Sequence, residues 1–546
     1  MKGIHLGKGL PSETTLAERG SFRRLVPLIA VVALGLLLRL NQIGSEGLWI
    51  DEAFSIWLAQ HPPGEMLKWV QEVDHHPPLY YGLLQGWTRL FGAHEGPARA
   101  FSALCGTLTI AVIYDIGCSL HSARAGLIAA LVLALSPFHI RFAQEARMYT
   151  LLALFASMAL DAFVRLRRHW GKGEGRTRPG PGGPWPWLAY VAATAAMLWT
   201  HNTAVFFPLT VNLVVLFQLW SRLRCSGWSL RDRESRVCAI QRGWSPWLQR
   251  WFAAQVLVLA LWTPWFPALL SQVADVYRRF WLPPPDLGAG LSIIGVLLWE
   301  LPSAPLLVSV VVNAFLVGLA VYGFRELLRL RGRTAYIATF VLAPIAGEWI
   351  VSAWRPILCA RTLIWISIPL YVLLAAGIEG LGKKSCSWIS PRALAITVVL
   401  GVVILDAAAI QVYFSASDRE GWDEAAALVA ERMRPDDLVL FNDAWGQIPF
   451  DYYLGQQYNH QDAPDVAEHG VPVDLFDRGV LEPRMTEADL SRLEDLVAPH
   501  PRVWLVYSHQ WYTDPKGLVP QALDRKLNPR CRWSFDGLEV HLYGES

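Results

Sequence analysis

Charge is scarce in this chain. Of 546 residues, 17% are Asp, Glu, Lys or Arg, where a soluble globular protein carries about a quarter. With 53% hydrophobic residues, 26 Trp and a mean hydropathy of +0.29, that deficit excludes an ordinary soluble domain and predicts a polytopic membrane protein. Cysteine is sparse as well. The seven residues, at 105, 118, 225, 238, 359, 386 and 531, form no CxxC pair and no His-rich spacing, which argues against a disulfide framework or a zinc site. No short internal repeat is visible. The first apolar run, Leu25–Leu40, lacks a small-residue cleavage site after it and so reads as a first span, not a removable signal. The net charge of +2 says little as a total, and nothing in its pattern points to nucleic acid.

What is abundant is long apolar sequence. After Leu25–Leu40, runs lie near 98–118, 123–140, 148–166, 187–201, 203–220, 252–270, 291–324, 335–352, 361–381 and 393–413. The basic residues between them set the expected orientation, because Lys and Arg are retained on the cytoplasmic side. Arg167, Arg168, Lys172, Arg176 and Arg178 follow one run, seven arginines lie between 221 and 250, Arg325, Arg329, Arg331 and Arg333 follow another, and Lys383, Lys384 and Arg392 precede the last. All four groups fall inside if 291–324 holds one span and 78–91 does not cross. The expectation is eleven spans, with residues 1–24 cytoplasmic, 25–413 a transmembrane domain whose first outer loop is 41–97, and 414–546 extracytoplasmic.

One outer stretch stands apart, WIDEAFSIWLAQHPPGEMLKWVQEVDHHPPLYY from Trp49 to Tyr81. Adjacent acids at the mouth of a membrane helix are costly to desolvate, so they tend to line a watered cavity or serve a reaction. The pairs Pro62-Pro63 and Pro77-Pro78 divide it into short helices lying along the membrane surface. Asp51 can be read as the cap of a helix over 52–60 or as a reactive carboxylate, and the two are compatible.

The tail differs. Trp422–Met433 has helical apolar spacing, Asp437–Phe441 and Val503–Tyr507 read as strands, and Glu487–Val497 and Leu518–Leu527 as helices. Cys531–Phe535 and Leu538–Tyr543 suit a hairpin around Asp536-Gly537. Alternating helices and strands predict an α/β lobe on the outer face.

The order of WIDEA, DHHPPLYY, GPARAFSALCGT, RFAQEARMYTLL and RPILCARTLIWISIP resembles the GT-C glycosyltransferases, and among them the bacterial relatives of the protein O-mannosyltransferases and the aminoarabinose-to-lipid-A transferases. The resemblance covers 25–413 well and the tail weakly. It implies a sugar moved from a polyprenyl-phosphate donor to an acceptor hydroxyl, on a glycan, lipid or protein, at the outer face of the cytoplasmic membrane. A lipid-linked donor fits the lack of any Rossmann-like glycine loop. The matching acid is Asp51, expected as general base, with Glu52 orienting it or binding acceptor or metal. A leaving phosphate calls for arginine forks. Arg99 and Arg361 match the family positions, and Arg147 with Tyr149 joins them as a donor-phosphate candidate. For Arg141, Arg147 and Arg355 snorkelling to the interface is the competing reading. Asp74, His75, His76 and Glu145 remain open as substrate or divalent-metal ligands, and Glu145 also as an ion-pair partner of Arg147 or Arg141. The competing function is a transporter or flippase of lipid-linked sugars, for which charges near mid-membrane would be expected.

Overall fold

The computed structural model describes residues 13–74, 76–168, 183–225, 233–276, 285–286, 288–329, 335–383, 390–416, 420–458, 466–475 and 484–544. His75 lies outside the described residues, as do most of the basic loops that set the expected orientation and the Gly/Pro-rich linker near 171–182.

The chain is a multi-span helical membrane protein with a small C-terminal sheet. Among the described residues, seven helices are long and apolar enough to cross a membrane: Glu95–Leu120, Tyr149–Arg168, Asn202–Ser221, Pro246–Val273, Leu306–Arg329, Ile364–Leu381 and Pro391–Ser415. The bent pair Ala123–Leu135 and Pro137–Ala143 makes an eighth if it counts as one span. Its 59° bend has a local cause. Pro137 disfavours a helical conformation at Ser136, and Ser136 restarts the helix by accepting the His139 N–H at 3.3 Å. Shorter apolar helices occupy Leu25–Leu40, Trp185–Leu198, Ala289–Leu298 and Tyr336–Ser352. Every expected apolar run is therefore helical, but 291–324 is divided in two, Ala289–Leu298 and Leu306–Arg329. Leu79–Phe91 has 13 residues, too few to span about 30 Å of hydrocarbon.

Small residues let these helices approach closely. A Cβ on Gly323 would fall 1.8 Å from the Leu373 carbonyl oxygen, and one on Gly377 would fall 2.0 Å from that of Leu319. Helices Leu306–Arg329 and Ser367–Leu381 therefore touch backbone to backbone.

The C-terminal lobe carries five strands, β1 (Leu438–Phe441), β2 (Ala467–Gly470), β3 (Arg502–Ser508), β4 (Pro529–Phe535) and β5 (Leu538–Gly544), in the order β2-β1-β3-β5-β4. β1 is parallel to β2 and β3, while β5 runs antiparallel to β3 and β4. The wholly apolar LVLF and the buried β3 form the centre, covered by helices on both faces, as parallel strands require. The expected hairpin turns at Gly537, whose φ of +77° suits glycine. Helix Gln447–Gln457 lies against helix Ile50–Gln60, so the lobe sits on the stretch that carries the acids.

Candidate functional site

The site is built on the first turn of the Ile50–Gln60 helix. Trp49 occupies the N-cap position without a side-chain cap bond, so Asp51 lies inside the first turn. The reading of Asp51 as the cap is thereby corrected: the helix begins two residues earlier than expected, because Ile50 and Asp51 are already helical. Asp51 is left partly exposed, with 31% of its side chain accessible. Its Oδ2 lies 3.8 Å from a guanidinium nitrogen of Arg147 and 3.8 Å from one of Arg361. Two arginines from sequence-distant loops thus converge on one carboxylate.

The neighbouring acid behaves differently. Glu52 is fully buried and receives the Arg99 guanidinium side-on, Nε to Oε1 and Nη2 to Oε2, both at 2.8 Å. The Ala146 N–H donates to the same Oε1 at 2.8 Å. The other Arg99 donors reach the carbonyls of Ile43, Glu46 and Gly47 at 2.7 to 3.0 Å. A guanidinium has five N–H groups, and all five are engaged here. Arg99 therefore braces the loop before the acidic helix and has no donor left for a phosphate. The sequence reading grouped Arg99 with Arg361 because both match family positions. What separates them is partner geometry, which a sequence does not show.

Arg147 is buried. Its Nη1 donates to the Asp51 carbonyl and to Ser55 Oγ at 3.2 Å, and more weakly to the Tyr81 hydroxyl at 3.4 Å. Tyr81 in turn donates to Asp74 Oδ2 at 2.6 Å, and His76 Nδ1 stands 3.3 Å from the same oxygen. Burial alone would raise the Asp74 carboxyl. His76, Arg147 and the Tyr81 hydrogen bond outweigh it and hold Asp74 down at about 2. Asp74 and His76 thus anchor Tyr81 beneath Arg147. Among the described residues no group of three or more His, Cys, Asp and Glu could hold a metal ion, and Asp74 and His76 are engaged with each other and with Tyr81.

Arg361 comes from the loop after the Tyr336–Ser352 helix, with a quarter of its side chain accessible. Its guanidinium stands 5.8 Å from the centre of the Tyr149 ring, within cation–π range. Thr362 donates to Glu348 Oε2 at 3.1 Å, and Ser352 Oγ accepts the Ile357 and Leu358 N–H groups at 3.0 and 2.9 Å. The loop is therefore tied to the preceding helix at both ends. Glu145 pairs with Arg141 across one turn at 3.6 Å.

Several residues of the site were not singled out from sequence. His201 packs 5.0 Å from the His76 ring and 6.3 Å from Tyr149. Burial, then the charges of His76, Arg147 and Arg361, lower it well below the usual histidine range, which keeps it neutral. Ser55 and Tyr81, at helical spacing from Asp51 and in the quoted PPLYY motif, were within reach of a helical-wheel reading. Glu420 and His509 come from the lobe, and no spacing signal could have found them.

The chain has the GT-C fold. Residues 75–228 match the family model described as dolichyl-phosphate-mannose-protein mannosyltransferase. Among solved structures it is similar to ArnT from Cupriavidus metallidurans in the apo state, with a TM-score of 0.59 at 16% identity over 94% of this chain and 97% of that one. ArnT bound to undecaprenyl phosphate superposes with a TM-score of 0.56 at 14% identity, over the same shares of both chains. The archaeal oligosaccharyltransferase AglB from Archaeoglobus fulgidus, in complex with an inhibitory peptide and a dolichol-phosphate, gives 0.54 at 12% identity, covering 96% of this chain and 74% of that one. No curated protein sequence matches the chain. The resemblance read from the motifs is borne out at the level of fold.

Proposed function

We propose that this chain, built on the GT-C fold, is a membrane glycosyltransferase that moves a sugar from a polyprenyl-phosphate donor to an acceptor hydroxyl at the outer face of the cytoplasmic membrane. The observation that carries this reading is the convergence of Arg147 and Arg361 on a partly exposed Asp51. On this reading a base, a phosphate-binding cation and an opening to solvent share one place at the membrane boundary. In support, ArnT has been solved with undecaprenyl phosphate and AglB with a dolichol-phosphate.

In the proposed reaction the acceptor hydroxyl oxygen attacks the anomeric carbon of the donor while Asp51 takes its proton. The bond from that carbon to the phosphate oxygen breaks, and its electron pair leaves with the polyprenyl phosphate. Arg361 holds that phosphate, and its planar fork suits two phosphate oxygens at once. Arg147, fixed by Ser55 and Tyr81, places positive charge beside the carboxylate and orients it. Tyr149 keeps Arg361 aimed at the site. Glu52 and Arg99 act one layer further out, holding the helix and its preceding loop in register. Every step uses side chains of the chain, and none is assigned to a metal ion.

The test is the lipid the protein carries. Mass spectrometry of the purified full chain should find a polyprenyl phosphate bearing a sugar, and incubation with a hydroxyl acceptor should release the unmodified polyprenyl phosphate. A bound lipid lacking phosphate would contradict the reading.

A further inference from the structure

A carboxylate of the lobe reaches the first turn of the acidic helix. Glu420 Oε2 accepts the Ile50 N–H at 3.3 Å, at the end of the helix where N–H groups lack intrahelical partners. It also accepts the indole N–H of Trp422. The other oxygen, Oε1, lies 3.1 Å from His509 Nε2. Asp443 Oδ2 stands 3.7 Å from His509 Nδ1 and completes the charged surroundings of the ring. Asp443 itself caps the next turn, accepting the Trp445 N–H at 3.2 Å, and the Trp445 ring meets Phe54 of the acidic helix edge to face at 5.5 Å. The Tyr453 hydroxyl accepts the Leu48 N–H at 2.7 Å, just ahead of the same helix.

His509 itself is held in an unusual backbone state. It follows β3 with φ of +49°, the left-handed region, where Asn, Asp and His are the side chains most often found besides Gly. From there its ring reaches Glu420.

We propose that His509 is a positioning residue for the transfer reaction: by its ion pair with Glu420 it fixes the first turn of the Ile50–Gln60 helix, and through it the carboxylate of Asp51 between Arg147 and Arg361. The lobe then takes part in the chemistry, beyond recognising an acceptor. This rests on the reading of Asp51 as the base. The electrostatics agree with the geometry. Burial alone would lower the imidazolium, but Glu420, Asp443 and Asp51 raise it above the ordinary histidine value. A raised value means that the pair is fully formed below the ordinary value of about 6.5 and is lost as pH rises through the folded-state value.

The experiment uses the full chain with the lipid-linked sugar that co-purifies with it, and undecaprenyl phosphate as a separate binding probe. His509→Asn tolerates the left-handed backbone but is too short to reach Glu420. It should lower kcat roughly 10- to 100-fold, as small misplacements of a reacting group do. KM and the affinity for undecaprenyl phosphate should stay unchanged. The parent enzyme should lose turnover on an alkaline limb that His509→Asn lacks, and His509→Lys should restore kcat and carry that limb to higher pH. An unchanged kcat in His509→Asn, or a loss shared equally by undecaprenyl phosphate binding, would overturn the proposal. Should His509→Asn fail to fold, Glu420→Gln, which can still accept the Ile50 N–H, takes its place: loss of the alkaline limb supports the proposal and its retention overturns it. Asp51→Asn assayed alongside separates the two ideas. Full turnover there removes the base reading, whereas an inactive Asp51→Asn beside an unaffected His509→Asn removes this inference alone.

Discussion

Arg99 and Glu52 meet side-on inside the protein, two guanidinium nitrogens each 2.8 Å from a carboxylate oxygen and both side chains closed to solvent. Neighbours in sequence, Glu52 and Asp51 therefore have different work, one inside the protein and one at its opening.

That pairing predicts the phenotype of its loss. Removing one partner leaves the other charge buried and unpaired, which costs about 3–5 kcal/mol. Arg99→Met and Glu52→Gln should each lower the melting temperature of the detergent-purified protein markedly. Donor affinity in whatever folded fraction remains should be close to normal. A fully stable Arg99→Met that fails only to bind undecaprenyl phosphate would return Arg99 to the phosphate site.

Arg361 should show the opposite behaviour. Arg361→Lys keeps a positive charge near Asp51 and Tyr149 but loses the two-pronged geometry, and a charge-assisted hydrogen bond of this kind contributes about 1.5–3 kcal/mol. Affinity for undecaprenyl phosphate should fall by roughly ten- to a hundredfold, with the melting temperature little changed. Calorimetric titration of parent and variant checks this, and equal affinities would reduce Arg361 to an anchor for its loop.

Asp74 supplies a pH prediction of definite sign. Its carboxyl is held down at about 2, so its contribution is present above the ordinary carboxylate range and is lost only as pH falls toward 2. Asp74→Asn should be less stable than the parent at neutral pH, and the gap should close only in strong acid. Paired melting curves between pH 7 and the acid limit test this. A gap closing near pH 4 would mean that Asp74 is not held by His76, Arg147 and Tyr81 as described.

Orientation can be read by labelling. Gly64, in the short helices after the first apolar helix, is exposed, and Lys516 of the lobe and Lys383, between the last two spans, are well exposed. With the lobe and the site outside, impermeant thiol reagents added to whole cells should reach cysteines placed at 64 and 516 and spare one at 383. Labelling at 383 without permeabilisation would invert the proposed arrangement.

Much of this was legible in the sequence because hydrophobic length and turn chemistry are local properties. The apolar runs, the non-crossing Leu79–Phe91 helix, the LVLF and VWLVY strands and the Asp536-Gly537 hairpin all follow from short windows. β2 was missed because AEHG is a polar edge strand, which pairs on one side only and needs no apolar alternation. Helix Gln447–Gln457 was missed because its apolar residues face both Ile50–Gln60 and the sheet and leave little amphipathic period. In the site, chemistry-bearing residue types were visible but their partners were not. Asp51 and Arg361 are 310 positions apart, as their numbers show, and the commitment of all five Arg99 donors depends on carbonyls that any residue could supply. Glu420 and His509 stayed hidden for the same reason, since their importance lies in reaching Ile50 from another part of the chain.

The central claim is that Asp51 takes the acceptor proton, and Asp51→Asn tests it most directly. The substitution keeps the size of the side chain, and Asp51 lies inside the first turn, not at the N-cap position, which Trp49 occupies. Transfer from the co-purifying lipid-linked sugar should fall by on the order of 10²-fold or more, the usual contribution of a general base. Undecaprenyl phosphate should still bind, because Arg147 and Arg361 remain. Transfer close to the parental rate in a folded Asp51→Asn protein would contradict the account and remove Asp51 from the mechanism.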